Sequence, residues 1–186
     1  MKRMVIVLTV VMVLSGLILA FADSIFSPQI EKNRAQQLSS SLASLFEGAK
    51  SPTFEKLPLD NETVYRGTDG GTLLGYAVAV DTPGYGGTIS LLIGVAPDLK
   101  TITGMEVVSN IETPGLGGRI TEPWFRKQFV GLDPNKAISY IKNAKPVPDK
   151  NEVEAISGAT ITTKAVVSGL NSILDPAVAA IRKSQQ

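Results

Sequence analysis

Hydroxyl side chains are concentrated in one short stretch, Ser157–Thr163, with the sequence SGATITT. Apolar residues at helical spacing follow it, so the stretch is predicted to lie at the N-terminus of a helix. Such an end offers unpaired backbone N–H groups and the positive end of the helix dipole, which both favour a phosphate. A plainer interpretation remains open, in which Thr160 or Ser157 simply caps the helix.

A second stretch, residues 112–118 with the sequence ETPGLGG, contains three glycines and one proline. Its composition predicts an irregular, tightly shaped loop between a strand and a helix. The backbone amides of such a loop are able to contact a planar ligand or a phosphate. A structural turn explains the same residues, because a glycine-rich loop by itself is a weak indication of a ligand site.

The composition limits the chemistry that these two stretches can support. The 186 residues include no cysteine and no histidine. This excludes disulfides, thiol nucleophiles, iron–sulfur clusters on the chain's own thiolates, and catalytic or metal sites built on imidazole. A formal net charge of +1 argues against nucleic acid as a partner. We therefore predict no metal site and no catalytic residue, and we expect a cofactor to supply any demanding chemistry.

The N-terminal residues are predicted to anchor the chain in the cell membrane. Residues 4–22 carry no charge, and as a helix they span about 28 Å, close to the hydrocarbon thickness of a bilayer. A cleavable signal peptide is the alternative, because Ala20-Phe21-Ala22 resembles a cleavage site, but the apolar run is longer than usual for one. Lys2 and Arg3 precede the run, which predicts a single pass with a cytoplasmic N-terminus and an external domain.

The residues between the anchor and the domain are predicted to form a stalk. We divide the chain into a cytoplasmic tip and anchor (1–22), a helical stalk and linker (23–60) and an α+β domain (61–186). Leu38, Leu42, Leu45 and Phe46 recur at helical spacing within residues 29–50. Pro28 either kinks the chain or lies in a helix that continues from the anchor, Gly48 is a candidate helix stop, and Pro52 and Pro58 predict a loop.

The domain is predicted to be an antiparallel sheet packed with helices. Four strands are expected at residues 63–66, 75–80, 88–95 and 101–108, with a hairpin turn at Asp69-Gly70-Gly71. A short strand is expected within residues 137–142. Helices are predicted at residues 121–130 and 161–183, the second broken or kinked at Pro176. The order of these elements places both candidate stretches at the starts of helical segments.

Taken together, these motifs resemble the FMN-binding domain family. The resemblance rests on SGAT at 157–160, ETPGLG at 112–117, GYGG-x-I at 84–89, Trp124 with Phe129, and the N-terminal anchor. The family includes the G subunit of the Rnf electron-transport complex and the C subunit of the sodium-pumping NADH:quinone oxidoreductase. The modest length of the chain is more similar to the former.

The resemblance implies a cofactor and its site. It implies that FMN is attached covalently, through its phosphate, to Thr160 by a separate flavin transferase that uses FAD. The residues implied around the phosphate are Ser157, Gly158, Ala159, Thr162 and Thr163. Those implied against the isoalloxazine ring are Glu112, Thr113, Pro114, Gly115, Leu116 and Gly117, with Glu112 and Thr113 at its polar edge.

The same resemblance implies a function in electron transfer. It implies a subunit, not catalytic alone, of a membrane-bound ion-translocating ferredoxin:NAD⁺ oxidoreductase, with other membrane subunits and the lipid bilayer as partners. One alternative is the C-type subunit of the sodium-pumping quinone reductase, or another flavin carrier outside the cytoplasm. A further alternative is an anchored scaffold without redox activity, in which SGAT is only a helix cap.

Overall fold

The computed structural model describes residues 2–46, 48–59 and 62–185. The chain divides into two units, Met1–Ser39 and Ser40–Gln186. Helix α1 (Lys2–Leu45) makes up the described part of the first unit and ends inside the second, with Pro28 within it. The expectation that Pro28 lies in a helix that continues from the anchor is therefore confirmed. The predicted boundary between residues 60 and 61 falls on residues outside the described part of the chain.

Two of the described helices are long and apolar enough to cross a membrane. One is α1, whose apolar residues are exposed throughout its N-terminal part. The other is α3 (Thr160–Ser184), whose apolar window is 44% buried within the protein. Because α3 contributes Val166, Leu170 and Ile181 to the domain core, it is a core helix, and α1 is the candidate anchor.

The second unit is built on a five-stranded antiparallel sheet, with its strands in chain order. The strands are β1 (Pro52–Lys56), β2 (Val64–Asp69), β3 (Thr72–Pro83), β4 (Thr88–Val95) and β5 (Ile102–Ser109). The predicted four-stranded meander is confirmed, and β1 is an additional strand where a loop was predicted. Pro52 does not prevent this strand, since it is the first residue of a strand at the edge of the sheet.

Shorter elements follow the sheet. The helix predicted at residues 121–130 is instead α2 (Pro123–Arg126), flanked by 3-10 turns at Gly117–Thr121 and Lys127–Phe129. Strands β6 (Ser139–Ile141) and β7 (Glu152–Glu154) then pair in parallel.

Helix α3 is continuous through Pro176, so of the break or kink predicted there the break is wrong. Proline removes one backbone donor from a helix. Leu174, Ala177 and Val178 are buried on either side of it and hold both parts of the helix on the core.

The two faces of the sheet are covered differently. One face carries bulky residues such as Tyr76 and Val78, which belong to the core that includes α3. The opposite face carries glycines. A Cβ on Gly67 would lie 3.2 Å from the ring of Phe46. Leu45 likewise lies 3.4 Å from the position of a Gly104 Cβ. Glycines thus make room for the residues that end α1 and begin the following loop.

Candidate functional site

Two loops and the first turn of the last helix, α3, meet at the buried carboxylate of Glu112. This side chain is 6% exposed and follows the end of β5. Its Oε2 accepts a hydrogen bond from Thr162 Oγ1 at 2.6 Å, and its Oε1 accepts one from the Gly86 N–H at 2.7 Å. The structure therefore joins the ETPGLGG stretch to the SGATITT stretch and to the loop between β3 and β4.

Two glycines leave room for this carboxylate. A Cβ on Gly117 would overlap Glu112 Oε2 and would lie 2.6 Å from Thr162 Oγ1. A Cβ on Gly84 would overlap Glu112 Oε1. Real side chains do not approach this closely, so at both positions any larger residue would displace the carboxylate. Gly84 and Gly117 are thus explained by close packing around Glu112.

The turn before α3 presents Thr160. Ala159 is the N-cap of α3 and makes no side-chain capping bond, so the expectation that Thr160 or Ser157 caps the helix is wrong. Thr160 is the first residue of the helix, and its side chain is half-buried. Its hydroxyl makes no hydrogen bond to any residue that the structure describes. Gly158, with φ of +79°, allows the chain to turn into the helix there.

The other two threonines of the stretch point into the fold. Thr162 is 2% exposed, and its hydroxyl donates to Glu112. Thr163 is fully buried; its Oγ1 accepts from the Ile156 N–H at 3.1 Å and donates to the Ala159 carbonyl at 3.4 Å. Both hydroxyls therefore have protein partners, and Thr160 is the threonine of this stretch whose hydroxyl has none among the described residues.

The remaining residues of the two stretches lie at the surface. Ser157, Gly158 and the segment 113–116 are exposed. Leu116 Cδ2 lies 3.3 Å from the position that a Gly158 Cβ would occupy, so the tips of the two stretches are adjacent. Gly118 donates its N–H to the Thr113 carbonyl at 3.0 Å, which closes the ETPGLGG loop on itself.

Large apolar side chains are exposed on both loops and on the first turn of α3. Their exposed fractions are 73% for Tyr85, 70% for Ile111, 61% for Ile161 and 47% for Leu116. Ile111 lies against the backbone at Gly87, while Ile161 and Leu116 flank the Thr160 turn. Apolar residues clustered at a surface indicate a ligand or a partner. Tyr85 and Ile111 were not predicted as site residues, because neither belongs to a periodic pattern.

These features fit an FMN group. The first backbone N–H groups of α3 have no helical carbonyl before them that could accept their hydrogen bonds. The first backbone hydrogen bond of this turn runs from the Thr163 N–H to the Ala159 carbonyl. These amides suit a phosphate, and the exposed apolar side chains suit a planar ring. Lys164, one turn after Thr160, is exposed and adds a positive charge. Among the described residues no group of acidic side chains is arranged to hold a metal ion.

The site is a surface and not a deep cleft. A cavity of about 640 Å³ lies elsewhere in the domain, between the end of α1, β5 and α2. Its lining includes Leu45, Phe46, Met105, Arg126 and Val130, and none of the residues of the two candidate stretches. The half-buried Thr160 therefore lies at an open surface that carries exposed apolar side chains.

Comparisons with known proteins agree with this geometry. The model of the FMN-binding domain matches residues 84–175, which include both loops and the helix turn at Glu112. The G subunit of an ion-translocating oxidoreductase complex from Methanosarcina acetivorans is 46% identical over 112 residues, which are 60% of this chain and 56% of that protein. The G subunit of the proton-translocating ferredoxin:NAD⁺ oxidoreductase complex from Clostridium ljungdahlii is 32% identical over 168 residues, 90% of this chain and 86% of that protein.

A solved structure supports the fold. The C subunit of the Na⁺-translocating NADH-quinone reductase from Parabacteroides distasonis superimposes with a TM-score of 0.56 at 28% identity, over 68% of this chain and 75% of that chain. An N-terminal apolar helix followed by an α+β domain with an antiparallel sheet is thus confirmed. The chain belongs to the FMN-binding domain family. It spans little more than half of the Methanosarcina relative that it matches.

Proposed function

We propose that the chain is the G-type electron-transfer subunit of an ion-translocating ferredoxin:NAD⁺ oxidoreductase and carries FMN bound through its phosphate to Thr160. One observation carries the proposal: the Thr160 hydroxyl has no partner among the described residues, lies at the start of α3 and is flanked by exposed apolar side chains. The family membership and the G-type relatives support the same conclusion.

Attachment would proceed at the Thr160 oxygen. That oxygen forms the bond to the flavin-side phosphorus of FAD, the bond to the adenylate breaks, and AMP leaves with the hydroxyl proton. A threonine hydroxyl needs a base for this step, and the chain has no histidine to act as one. A separate flavin transferase would therefore supply the base and activate the phosphate.

After attachment, the residues around Thr160 would hold the group in place. The first amides of α3 and the Lys164 ammonium would balance the charge of the phosphodiester. The exposed side chains of Leu116, Ile111 and Ile161 would provide apolar contacts for the ring and exclude water from it. When bound, FMN supplies the redox chemistry. Because an open surface gives a free ligand few contacts, a covalent bond would retain the cofactor outside the cytoplasm, where a dissociating FMN would be lost.

The anchor would set the location of the site. Lys2 and Arg3 precede the apolar part of α1, so the positive-inside rule places the N-terminus in the cytoplasm and the folded domain on the other side. The chain would then cross the bilayer once and assemble with the other membrane subunits of the complex. The structural likeness to a quinone-reductase component makes that complex the second candidate. The activity of the purified complex distinguishes the two candidates. Ferredoxin oxidation coupled to NAD⁺ reduction favours the ferredoxin:NAD⁺ oxidoreductase, and NADH oxidation coupled to quinone reduction favours the quinone reductase.

The attachment is tested by producing the full chain together with a flavin transferase and viewing a denaturing gel under ultraviolet light. The proposal predicts a fluorescent band for the wild type and none for Thr160→Ala. Ser168→Ala is the matched control, because this exposed serine lies on the same helix outside the site, and its band should persist. A band in Thr160→Ala would move the attachment to another residue. An unlabelled wild type would favour the anchored scaffold without redox activity.

A further inference from the structure

We propose that Glu112 is a positioning residue for Thr160 and does not contact the flavin ring. Its carboxylate holds the first turn of α3 against the two neighbouring loops, so that the Thr160 hydroxyl faces the flavin transferase in one orientation. This role rests on the proposed attachment at Thr160. It differs from the ring-edge contact that the resemblance implies for Glu112.

The carboxylate of Glu112 is directed into the fold. Both of its oxygens are engaged there, one with Thr162 Oγ1 and the other with the Gly86 N–H. The backbone N–H of Glu112 is engaged as well, by Asn110 Oδ1 at 3.1 Å. With 6% of its surface exposed, the side chain has little area left for a ligand. The Glu112 side chain therefore connects neighbouring segments of the fold and does not line the surface.

Burying this carboxylate has a cost that hydrogen bonds from its neighbours offset. A buried carboxylate is unfavourable unless hydrogen bonds or a cation compensate it. In the described part of the chain no lysine or arginine forms an ion pair with Glu112. A hydroxyl and one amide are its compensation, and two glycines leave space for it. An apolar residue here would leave the Thr162 hydroxyl and the Gly86 N–H without their acceptor, so the carboxylate is explained by the groups that it holds.

Helix geometry connects Thr162 to the orientation of Thr160. Successive residues of an α-helix are about 100° apart, so side chains two positions apart point in nearly opposite directions. Fixing Thr162 toward Glu112 therefore turns Thr160 toward the surface. The N-cap of α3 is Ala159, which provides no side-chain bond. The bond from Thr162 to Glu112 restrains this helix start, together with the bonds that the Thr163 hydroxyl makes to Ile156 and Ala159.

The experiment compares matched threonine variants of the full chain in detergent. Thr162→Val removes the donor to Glu112 with little change of shape, and Thr162→Ser retains it. Thr82→Val is the control, because Thr82 is also buried and its hydroxyl donates to the Ala165 carbonyl of α3 at 3.0 Å, outside this cluster. The readouts are the melting temperature, the initial rate of flavin incorporation with transferase and FAD, and amide hydrogen exchange in residues 157–163.

We expect Thr162→Val to slow incorporation at least tenfold and to accelerate exchange in residues 157–163. Thr162→Ser should restore the wild-type rates of incorporation and exchange. Thr82→Val should leave both rates within twofold of wild type, even if its melting temperature falls as much as that of Thr162→Val. Glu112→Gln should slow incorporation as well. In the double variant with Thr162→Val the combined loss should be smaller than the sum of the two single losses, since both changes act on the bond between Glu112 and Thr162.

Two results distinguish this inference from the proposed function. If Thr162→Val takes up flavin at the rate of Thr82→Val and shows the same exchange, the positioning role is wrong even though Thr160 is labelled. If the wild type takes up no flavin, the attachment proposal fails. In that case the exchange comparison still decides whether Glu112 restrains the Thr160 turn.

Discussion

Glu112 and Thr162 are separated by 50 residues in the chain and are joined by a hydrogen bond of 2.6 Å. Each belongs to a stretch that, taken alone, is explained by an ordinary turn or helix start. The bond between them brings an irregular loop into contact with the N-terminus of α3. Thr160 is the first residue of that helix. This relationship turns two weak sequence signals into one site.

Gly117→Ala tests the close packing beneath the site. The new Cβ would overlap the Glu112 carboxylate and would lie 2.6 Å from Thr162 Oγ1. We expect it to lower the free energy of unfolding by about 2–3 kcal/mol, as overpacking of a buried site does, and to slow flavin incorporation. Chemical denaturation of the full chain in detergent measures the first effect.

Gly115→Ala is the control for that variant. Gly115 has φ of +77°, and a Cβ there would meet no atom within 4 Å. The expected loss is about 1 kcal/mol, from backbone strain alone. Equal losses for the two variants would show that Glu112 moves aside freely, which contradicts the close packing.

Leu116→Ala tests the apolar surface around Thr160. Its side chain is 47% exposed, so its loss should change the free energy of unfolding by no more than about 0.5 kcal/mol. The attached flavin should become more accessible, which is measured as stronger quenching of its fluorescence by iodide. Val130→Ala is the control, because Val130 is similarly exposed and lines a different surface. Unchanged quenching in Leu116→Ala would place the ring elsewhere.

Lys164→Gln tests the electrostatic part of the site. An exposed ammonium one turn after Thr160 attracts the phosphates of FAD during attachment. We expect severalfold slower incorporation at low ionic strength and a smaller difference at high salt, because salt screens exposed charges. Lys183→Gln, at the far end of the same helix, should match the wild type at every salt concentration. A salt-independent defect in Lys164→Gln would point to a packing effect instead of a charge effect.

The main elements of the fold were predictable because their signals are local. Alternating residues in 88–95 predict β4 with the observed bounds. The hairpin glycines predict the turn at Gly70 and Gly71, where both residues have positive φ. Local proline signals were misleading at Pro52 and Pro176, since edge position and buried neighbours outweigh them. These exceptions depend on tertiary contacts, which a periodic pattern does not contain.

The candidate site was predictable as two separate motifs but not as an arrangement. The stretches at Glu112 and Thr160 were identified from their glycines and hydroxyls. The hydrogen bonds of Glu112 to Thr162 and Gly86 could not be, because they join residues far apart in the chain. Tyr85 was not predicted as a candidate site residue for the same reason. Its place beside the candidate site depends on segments that are distant in the chain.

Covalent flavin on Thr160 is tested most directly by the intact mass of the full chain produced with a flavin transferase. We predict that the wild-type mass rises by that of FMN less one water, and that peptide mapping places the addition on Thr160. Thr160→Ala should keep the unmodified mass. A wild type without this addition, or an addition of equal extent in Thr160→Ala, would contradict attachment at this threonine.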